Sequence, residues 1–204
     1  METVYGKYRD GLVRTLEDLT KRIEGYNKEN IEAGNEPLYY HLITRIKSEE
    51  SMTAKLDARG LAHTPEEALS SSVHDACGIR IVCCFIKDIY ENISRIRNLP
   101  GVKVIREKDY LTNAKPNGYR SYHMIISVEE PYEDAKGNTP GIWYAEIQLR
   151  TIAMDSWAAL EHQMKYKKTV SDNDLIVAEL RRCADELAAC DVSMQTISDM
   201  INNQ

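Results

Sequence analysis

Residues 142–150 read Ile-Trp-Tyr-Ala-Glu-Ile-Gln-Leu-Arg, and the fold follows from how these side chains divide. Period-two alternation sends Trp143, Ala145, Ile147 and Leu149 to one face, and Tyr144, Glu146, Gln148 and Arg150 to the other. One face is apolar and the other polar, which predicts a strand with a packed back and a front bearing an acid, an amide and a cation. From the strand alone that front is either solvated or the floor of a site. The turn-rich stretch 133–141 (EDAKGNTPG) separates it from a second strand, Tyr119–Val128. That spacing is a hairpin signal, so the two are expected as antiparallel neighbours.

Working outward, Gly78–Ile86 (GIRIVCCFI) is almost entirely apolar and predicts a central strand covered on both faces, with Cys83 and Cys84 as small buried hydrophobes. Val102–Arg106 and Tyr39–Lys47 add two strands, and Asp88–Asn98 reads as a helix. Ser48 is a predicted N-cap followed by Glu49 and Glu50, which favour the helix dipole, and Gly60 closes that helix. Thr64-Pro65 opens another short helix. Tyr5, Tyr8, Leu12, Leu16, Leu19, Ile23, Tyr26 and Ile31 step by three or four through a long N-terminal helix over 1–34. Ile176, Leu180, Cys183, Leu187, Cys190, Met194, Ile197 and Ile201 do the same through 172–203. The expected fold class is α+β: a mixed central sheet of about five strands flanked by helices, with long N- and C-terminal helices. The chain divides into a helical arm (1–38), a sheet-bearing domain (39–168) and a C-terminal helix for self-association (169–204).

Composition limits the classes of function. The 204 residues are 43% hydrophobic and 28% charged, ordinary for a globular chain. No apolar run reaches the ~18 residues of a membrane span, and the first residues are polar, so neither membrane insertion nor secretion is expected. Five cysteines without CxxC or CxxH spacing argue against a zinc site or disulfide framework and for a reducing, cytoplasmic setting. A net charge of −6 excludes a surface that grips nucleic acid throughout, while leaving room for a local nucleotide pocket.

Local cation clusters supply such a pocket. Arg45 and Lys47 lie two apart on one strand, Ser48 begins a helix whose free N–H groups favour phosphate, and Ser51 and Lys55 follow one turn apart. Asp75 enters the strand that carries Arg80, a place suited to a Mg²⁺ ligand, with Glu146 as a second carboxylate. Lys108 and Lys115 flank a basic loop running into Tyr119, Ser121 and His123, expected on one strand face. The lone His74-Asp75 pair lacks the other histidines a metal phosphohydrolase of the His-Asp type needs, and that reading is set aside. Trp157 and Leu160 are expected in the core, and His41 and His63 in structural roles.

Four motifs occur in order: R-x-K-S-x-x-S-x-x-x-K (Arg45 to Lys55), D-x-x-G-x-R (Asp75 to Arg80), K-D-Y followed by K-P-N-G-Y-R-S-Y-H (Lys108 to His123), and E-I-Q-L-R-T (Glu146 to Thr151). With W-x-x-L-E-H-x-x-x-Y-K (Trp157 to Lys167), they resemble the RelA/SpoT-type alarmone synthetases, in particular their stand-alone small members, over residues 40–168. At 204 residues, neither the hydrolase domain nor the regulatory half of the larger members is expected. The resemblance implies a nucleotidyltransferase-like synthetase fold. It also implies transfer of pyrophosphate from ATP to the 3′-hydroxyl of GDP or GTP, releasing AMP. It implies that Arg45 and Arg80 sandwich adenine and that Lys47, Ser51 and Lys55 hold the ATP phosphates. Asp75 and Glu146 would bind Mg²⁺, with Glu146 taking the hydroxyl proton. Tyr119 would stack on guanine, with Arg106, Lys108, Lys115, Asn117, His123 and Gln148 lining the acceptor nucleotide. A homo-oligomer, a tetramer joined through its terminal helices, is expected, with RNA or alarmone as the regulators left open. Two alternatives stand beside this reading: a toxin of the same fold acting on tRNA or adenosine nucleotides, and a non-catalytic nucleotide- or RNA-binding module.

Overall fold

The central element is the strand that carries Glu146 and Gln148. In the computed structural model, which describes residues 3–70, 72–166 and 174–202, Gly141–Thr151 forms the middle strand of a five-stranded sheet. The strands are β1 (His41–Ile46), β2 (Cys77–Cys83), β3 (Val102–Asp109), β4 (Tyr122–Glu130) and β5 (Gly141–Thr151), in the order β1-β2-β5-β4-β3. β4 and β5 are antiparallel, as the turn-rich link predicts, and β1–β2 and β3–β4 are antiparallel as well. Only β2–β5 is parallel, which makes the sheet mixed. The helices are α1 (Arg9–Glu32), α2 (Glu49–Arg59), α3 (Pro65–Ala68), α4 (Ile86–Arg97), α5 (Ile152–Tyr166) and α6 (Asp174–Asn202).

The apolar face of β5 is fully packed: Ala145, Ile147 and Leu149 have no exposed surface and Trp143 retains 3%. It joins Cys77, Ile79 and Ile81 of β2 and Met124, Ile126 and Val128 of β4 in one core. α1 and α4 cover this side, α1 through Leu12, Leu16, Leu19, Ile23 and Tyr26, and α4 through Ile89, Ile93 and Ile96. Each such aliphatic side chain contributes about 1.5–3 kcal/mol by leaving water. α1 thus belongs to the same core as the sheet. Ile31, expected on its buried stripe, lies beyond the sheet and is 45% exposed.

Local chemistry sets the helix ends. Ser48 Oγ accepts from Ser51 N at 3.2 Å, and Gly60 closes α2 at φ 65°, where a side chain would be strained. Thr64 caps α3 with Pro65 at its first position, and Asp88 accepts from Phe85 N–H at the start of α4.

Three strand expectations need correction. β2 ends at Cys83, leaving Cys84 exposed, because the chain turns there into α4. β2 is also second in the sheet rather than central, and its other face is only half-covered. β4 begins at Tyr122, so Tyr119 lies in the preceding loop and Ser121 is a buried link whose hydroxyl donates to Leu149 O at 3.2 Å. Leu160, expected in the core, is 57% exposed on α5, while Trp157 is buried and donates to Leu180 O of α6. The boundary at 168/169 lies outside the described residues.

Candidate active site

The polar face of the sheet is organised by register. Strand pairing aligns Arg45, Gly78, Glu146, Ile125 and Arg106 in one row across all five strands. The next row is Ile43, Arg80, Gln148, His123 and Lys108. Seven residues expected at the site therefore share two adjacent rows of one face. Gly78 has a particular role there: a Cβ on it would sit 3.4 Å from Arg45 Cγ, so its absence keeps the floor open between Arg45 and Glu146.

The right-hand end of both rows depends on a bulge. Val102 and Val104 pair with Val128 and Ile126 on the core side, and strict alternation would send Arg106 and Lys108 there too. The register shifts between Val104 and Arg106, with Ile105 as the extra residue, and this turns Arg106 and Lys108 to the polar side.

Two clefts open over this floor. The first, of about 100 Å³, is lined by the cations Lys55, Arg59, Arg106 and Lys108, with His74 and His123, above Asp75 and Glu146. The second, of about 170 Å³, is lined by Ile43, Arg45, Gly78, Arg80 and Gln148, again with Asp75 and Glu146. The two carboxylates are the wall the clefts share.

Asp75, in the loop before β2, is gripped by Lys47 Nζ at 2.8 Å and Lys55 Nζ at 2.6 Å. Burial pushes its carboxyl up, but the two lysines outweigh burial and hold it below its usual value. Glu146 accepts from His123 Nδ1 at 3.1 Å and from Gln148 Nε2 at 3.1 Å. Burial likewise raises it, His123 and Gln148 lower it further than that, and the charge of Asp75 opposes them. That last effect places the two carboxylates within electrostatic reach of each other. His74 is pushed down by burial and then by Arg106, Arg59 and Lys55, so its imidazole is held neutral in a field of cations.

The remaining expected residues, Ser51, Lys115, Asn117 and Tyr119, line neither cleft. Ser51 Oγ accepts from Ser48 Oγ at 2.8 Å at the start of α2. Asn117 donates to Glu161 at 3.1 Å and accepts from Tyr119 N, which shapes the loop. Lys115 Nζ lies 4.7 Å from the Tyr119 ring centre and 5.0 Å from that of Tyr110. Gly118 (φ 88°) permits close packing of this loop on α6, where a Cβ would fall 2.5 Å from Ala184 Cβ. Tyr119 Oη is shared between His123 Nε2 at 2.8 Å and Arg150 at 2.7 Å.

Four further residues belong to the site. Arg59 follows Lys55 by one helical turn, and His74 adjoins Asp75. Arg150 continues the polar face of β5, and Asp155 in the first turn of α5 accepts from it. The first three were legible from spacing; Asp155 became visible only once α5 was placed beside β5.

A family model described as the region found in RelA / SpoT proteins matches residues 44–171. GTP pyrophosphokinase YwaC of Bacillus subtilis (strain 168) is 39% identical over 158 residues, covering 76% of this chain and 71% of that protein. The crystal structure of small alarmone synthetase 2 from Bacillus subtilis has a TM-score of 0.79 at 32% identity, covering 95% of this chain and 98% of that one. A GTP pyrophosphokinase family protein from Streptococcus pneumoniae has a TM-score of 0.82 at 27% identity, covering 97% and 94%. With the motifs on β1–α2, β2, β4 and β5 meeting on one sheet face, the chain belongs to the RelA/SpoT family of alarmone synthetases.

Proposed function

We propose that this protein is a GTP pyrophosphokinase that moves the terminal pyrophosphate of ATP to the 3′-hydroxyl of GDP or GTP, releasing AMP and making a guanosine tetra- or pentaphosphate alarmone. The observation that carries the reading is the pair of clefts meeting at Asp75 and Glu146. A two-substrate transfer needs two binding places with the reacting atoms at their boundary. The cleft with Arg45 and Arg80 suits a base held between guanidinium planes; Lys47 and Lys55, which meet Asp75 on the wall the two clefts share, are assigned to its phosphates together with Ser51 at the start of α2. The cleft with Arg106, Lys108 and His123 suits the acceptor and its phosphates; Tyr119, bonded to His123, is assigned to its base, with Lys115 and Asn117 on the same loop, while Gln148 lines the other cleft and reaches the acceptor through Glu146.

In the transfer, the 3′-oxygen attacks the β-phosphorus in line. The bond from that phosphorus to the oxygen bridging the α-phosphate breaks, and AMP leaves with the oxygen. The hydroxyl proton passes to Glu146, which its partners hold ionised and aimed. Cations from both clefts spread the charge that develops on the phosphoryl oxygens, and positioning with electrostatics does most of the work.

Mg²⁺ fits the residues present. Asp75 and Glu146 offer hard oxygen donors within electrostatic reach of each other. When bound, Mg²⁺ supplies charge neutralisation at the triphosphate.

The oligomer belongs to the same reading, as a tetramer joined through terminal helices, in the cytoplasm. No helix of the described residues is long and apolar enough to cross a membrane. The test is to incubate the purified protein with Mg²⁺, labelled ATP and, separately, GDP, GTP, AMP or tRNA, and to resolve the products by chromatography. Label transferred to GDP or GTP supports the reading. Transfer to AMP or tRNA alone replaces it with the toxin alternative, and no transfer to any acceptor leaves a binding module.

A further inference from the structure

Around Glu146 the hydrogen bonds close into a ring with a definite direction. One Arg150 nitrogen donates to Tyr119 Oη at 2.7 Å and to Gln148 Oε1 at 3.2 Å. Tyr119 Oη lies 2.8 Å from His123 Nε2, and His123 Nδ1 lies 3.1 Å from Glu146 Oε1. Gln148 Nε2 donates to the other oxygen of Glu146. With the proton of His123 on Nδ1, every donor meets an acceptor: both branches leave the Arg150 guanidinium and both end on the Glu146 carboxylate. Arg150 is thus the anchor of the group that faces the acceptor cleft, and at 5% exposure it has little freedom to move.

Arg150 is in turn held by Asp155, whose Oδ1 accepts from it at 2.9 Å. The same oxygen lies 3.3 Å from a guanidinium nitrogen of Arg80, in the other cleft. Arg80 Nε is buried with no hydrogen-bond partner among the described residues, and the nearby charges of Arg150 and Arg45 repel it. Asp155 is the carboxylate that holds it in place.

We propose that Asp155 is a positioning residue that couples the two nucleotide subsites, by sharing one carboxylate oxygen between Arg80 on the donor side and Arg150 on the acceptor side. The inference rests on the functional reading above. Because one oxygen serves two guanidiniums, what happens to one changes the hold on the other. A donor nucleotide that takes up Arg80 leaves Asp155 to Arg150 alone. This tightens the ring through Tyr119 and His123 to Glu146, so the first nucleotide favours the second. By reciprocity the acceptor tightens the donor equally. Without Asp155 the two guanidiniums lose the one oxygen they share, and each subsite is set independently.

The experiment is calorimetric titration of GDP into the protein, alone and saturated with a non-hydrolysable ATP analogue, for wild type, Asp155→Ala and Asp155→Asn. In wild type the analogue is expected to tighten GDP binding by about fivefold or more, the lower end of ordinary allosteric coupling. In Asp155→Ala the ratio of the two affinities falls to about one. Asp155→Asn retains an oxygen acceptor without the charge and keeps an intermediate ratio, and it carries the test if the alanine variant does not fold. The ratio separates coupling from a general structural defect, which would weaken both titrations alike. A wild-type ratio of one, or variants with the wild-type ratio, overturns the inference while leaving the functional reading intact. Failure of the wild type to bind either nucleotide overturns the functional reading itself and this inference with it.

Discussion

Asp75 and Glu146 meet at the same boundary but are held by different partners, and that difference separates the consequences of changing each. Asp75→Asn removes the countercharge of Lys47 and Lys55, whereas Glu146→Gln removes the charge and one of the two oxygens on which the His123 and Gln148 branches end. Either change is expected to lower pyrophosphate transfer by more than about a hundredfold, ~2.7 kcal/mol in the barrier. A rate within about tenfold of wild type for either variant removes that carboxylate from the mechanism. Only Asp75→Asn should also show a pH-dependent loss of stability traceable to two lysines. The folded carboxyl lies below its unfolded value of about 3.9, so its contribution is complete above that pH and is lost as pH falls through the folded value. The urea-unfolding gap between wild type and Asp75→Asn should thus be full at pH 7 and close below about pH 4; a gap that persists in acid contradicts the ion-pair account. Tyr119 has two separable parts. Tyr119→Ala removes the ring and should weaken GDP binding by about 1–3 kcal/mol, the usual range for one stacking platform, with ATP binding affected far less. Tyr119→Phe keeps the ring and loses only the bonds to Arg150 and His123, so it should bind GDP more tightly than Tyr119→Ala; equal losses in the two variants would mean that the hydroxyl, not the ring, carries the effect.

Among the elements, β5 was the most legible, because its period-two pattern is strict and both faces have uniform chemistry. Capping chemistry located α2 and α3 equally well, since Ser48, Gly60 and Thr64-Pro65 act within one turn of chain. What could not be read was set by distant partners. The shift at Ile105 exists because β3 must pair with β4 while Val104 faces the core and Arg106 the cleft, and no local pattern announces it. β2 looked central because its composition is apolar, yet its neighbours are β1 at the edge and β5, and only one of its faces is fully covered. The site residues were legible as motifs; the ring through Arg150 and the reach of Asp155 arise from tertiary placement. α6 shows the same limit. Its ladder runs through one sequence stripe, but Asp191, off that stripe, is buried and accepts from Thr151 Oγ1 at 2.6 Å, while Thr151 Oγ1 also accepts from Met154 N at the start of α5. Burial raises the Asp191 carboxyl more than the Thr151 bond lowers it. A raised folded value means that its stabilising contribution is present below the unfolded value of about 3.9 and is lost as pH rises through the folded value. Asp191→Asn keeps an acceptor for Thr151 without the desolvated charge, so it should raise the thermal midpoint at pH 7 and lose that advantage toward pH 4. A variant less stable than wild type at pH 7 would mean that the charge itself stabilises the junction.

At the scale of the whole molecule, α6 carries more apolar surface than its contacts among the described residues cover. It lies on α5 and α4, and its inward contacts are specific: Leu180, Ala184 and Leu187 meet Trp157 and Tyr119, while Gln195 and Asp199 bond to Lys87 at the start of α4. Those contacts use only part of the apolar ladder. Ile176 is 42% exposed, Met194 51%, Ile197 50% and Ile201 65%, with Val192 and Met200 exposed beside them. From Ile176 to Ile201, α6 therefore presents apolar side chains left exposed among the described residues, which is the pattern of a self-association surface. Leu187 packs within its own chain, so a charge there would damage the monomer and could not report on association. Met194 and Ile197 are on the exposed band, so Met194→Asp with Ile197→Asp should leave each subunit folded while placing two like charges in the seam. Light scattering at micromolar concentration should show a tetramer for the wild type and a smaller species for the double variant, with unchanged far-ultraviolet circular dichroism. Because α6 also braces the loop that carries Tyr119, through Gly118 against Ala184 and Arg120 on Asp185 at 2.9 Å, dissociation should lower the affinity for GDP more than for ATP. A monomeric wild type, or a double variant that keeps the wild-type mass, would show that this band is not where copies of the chain meet.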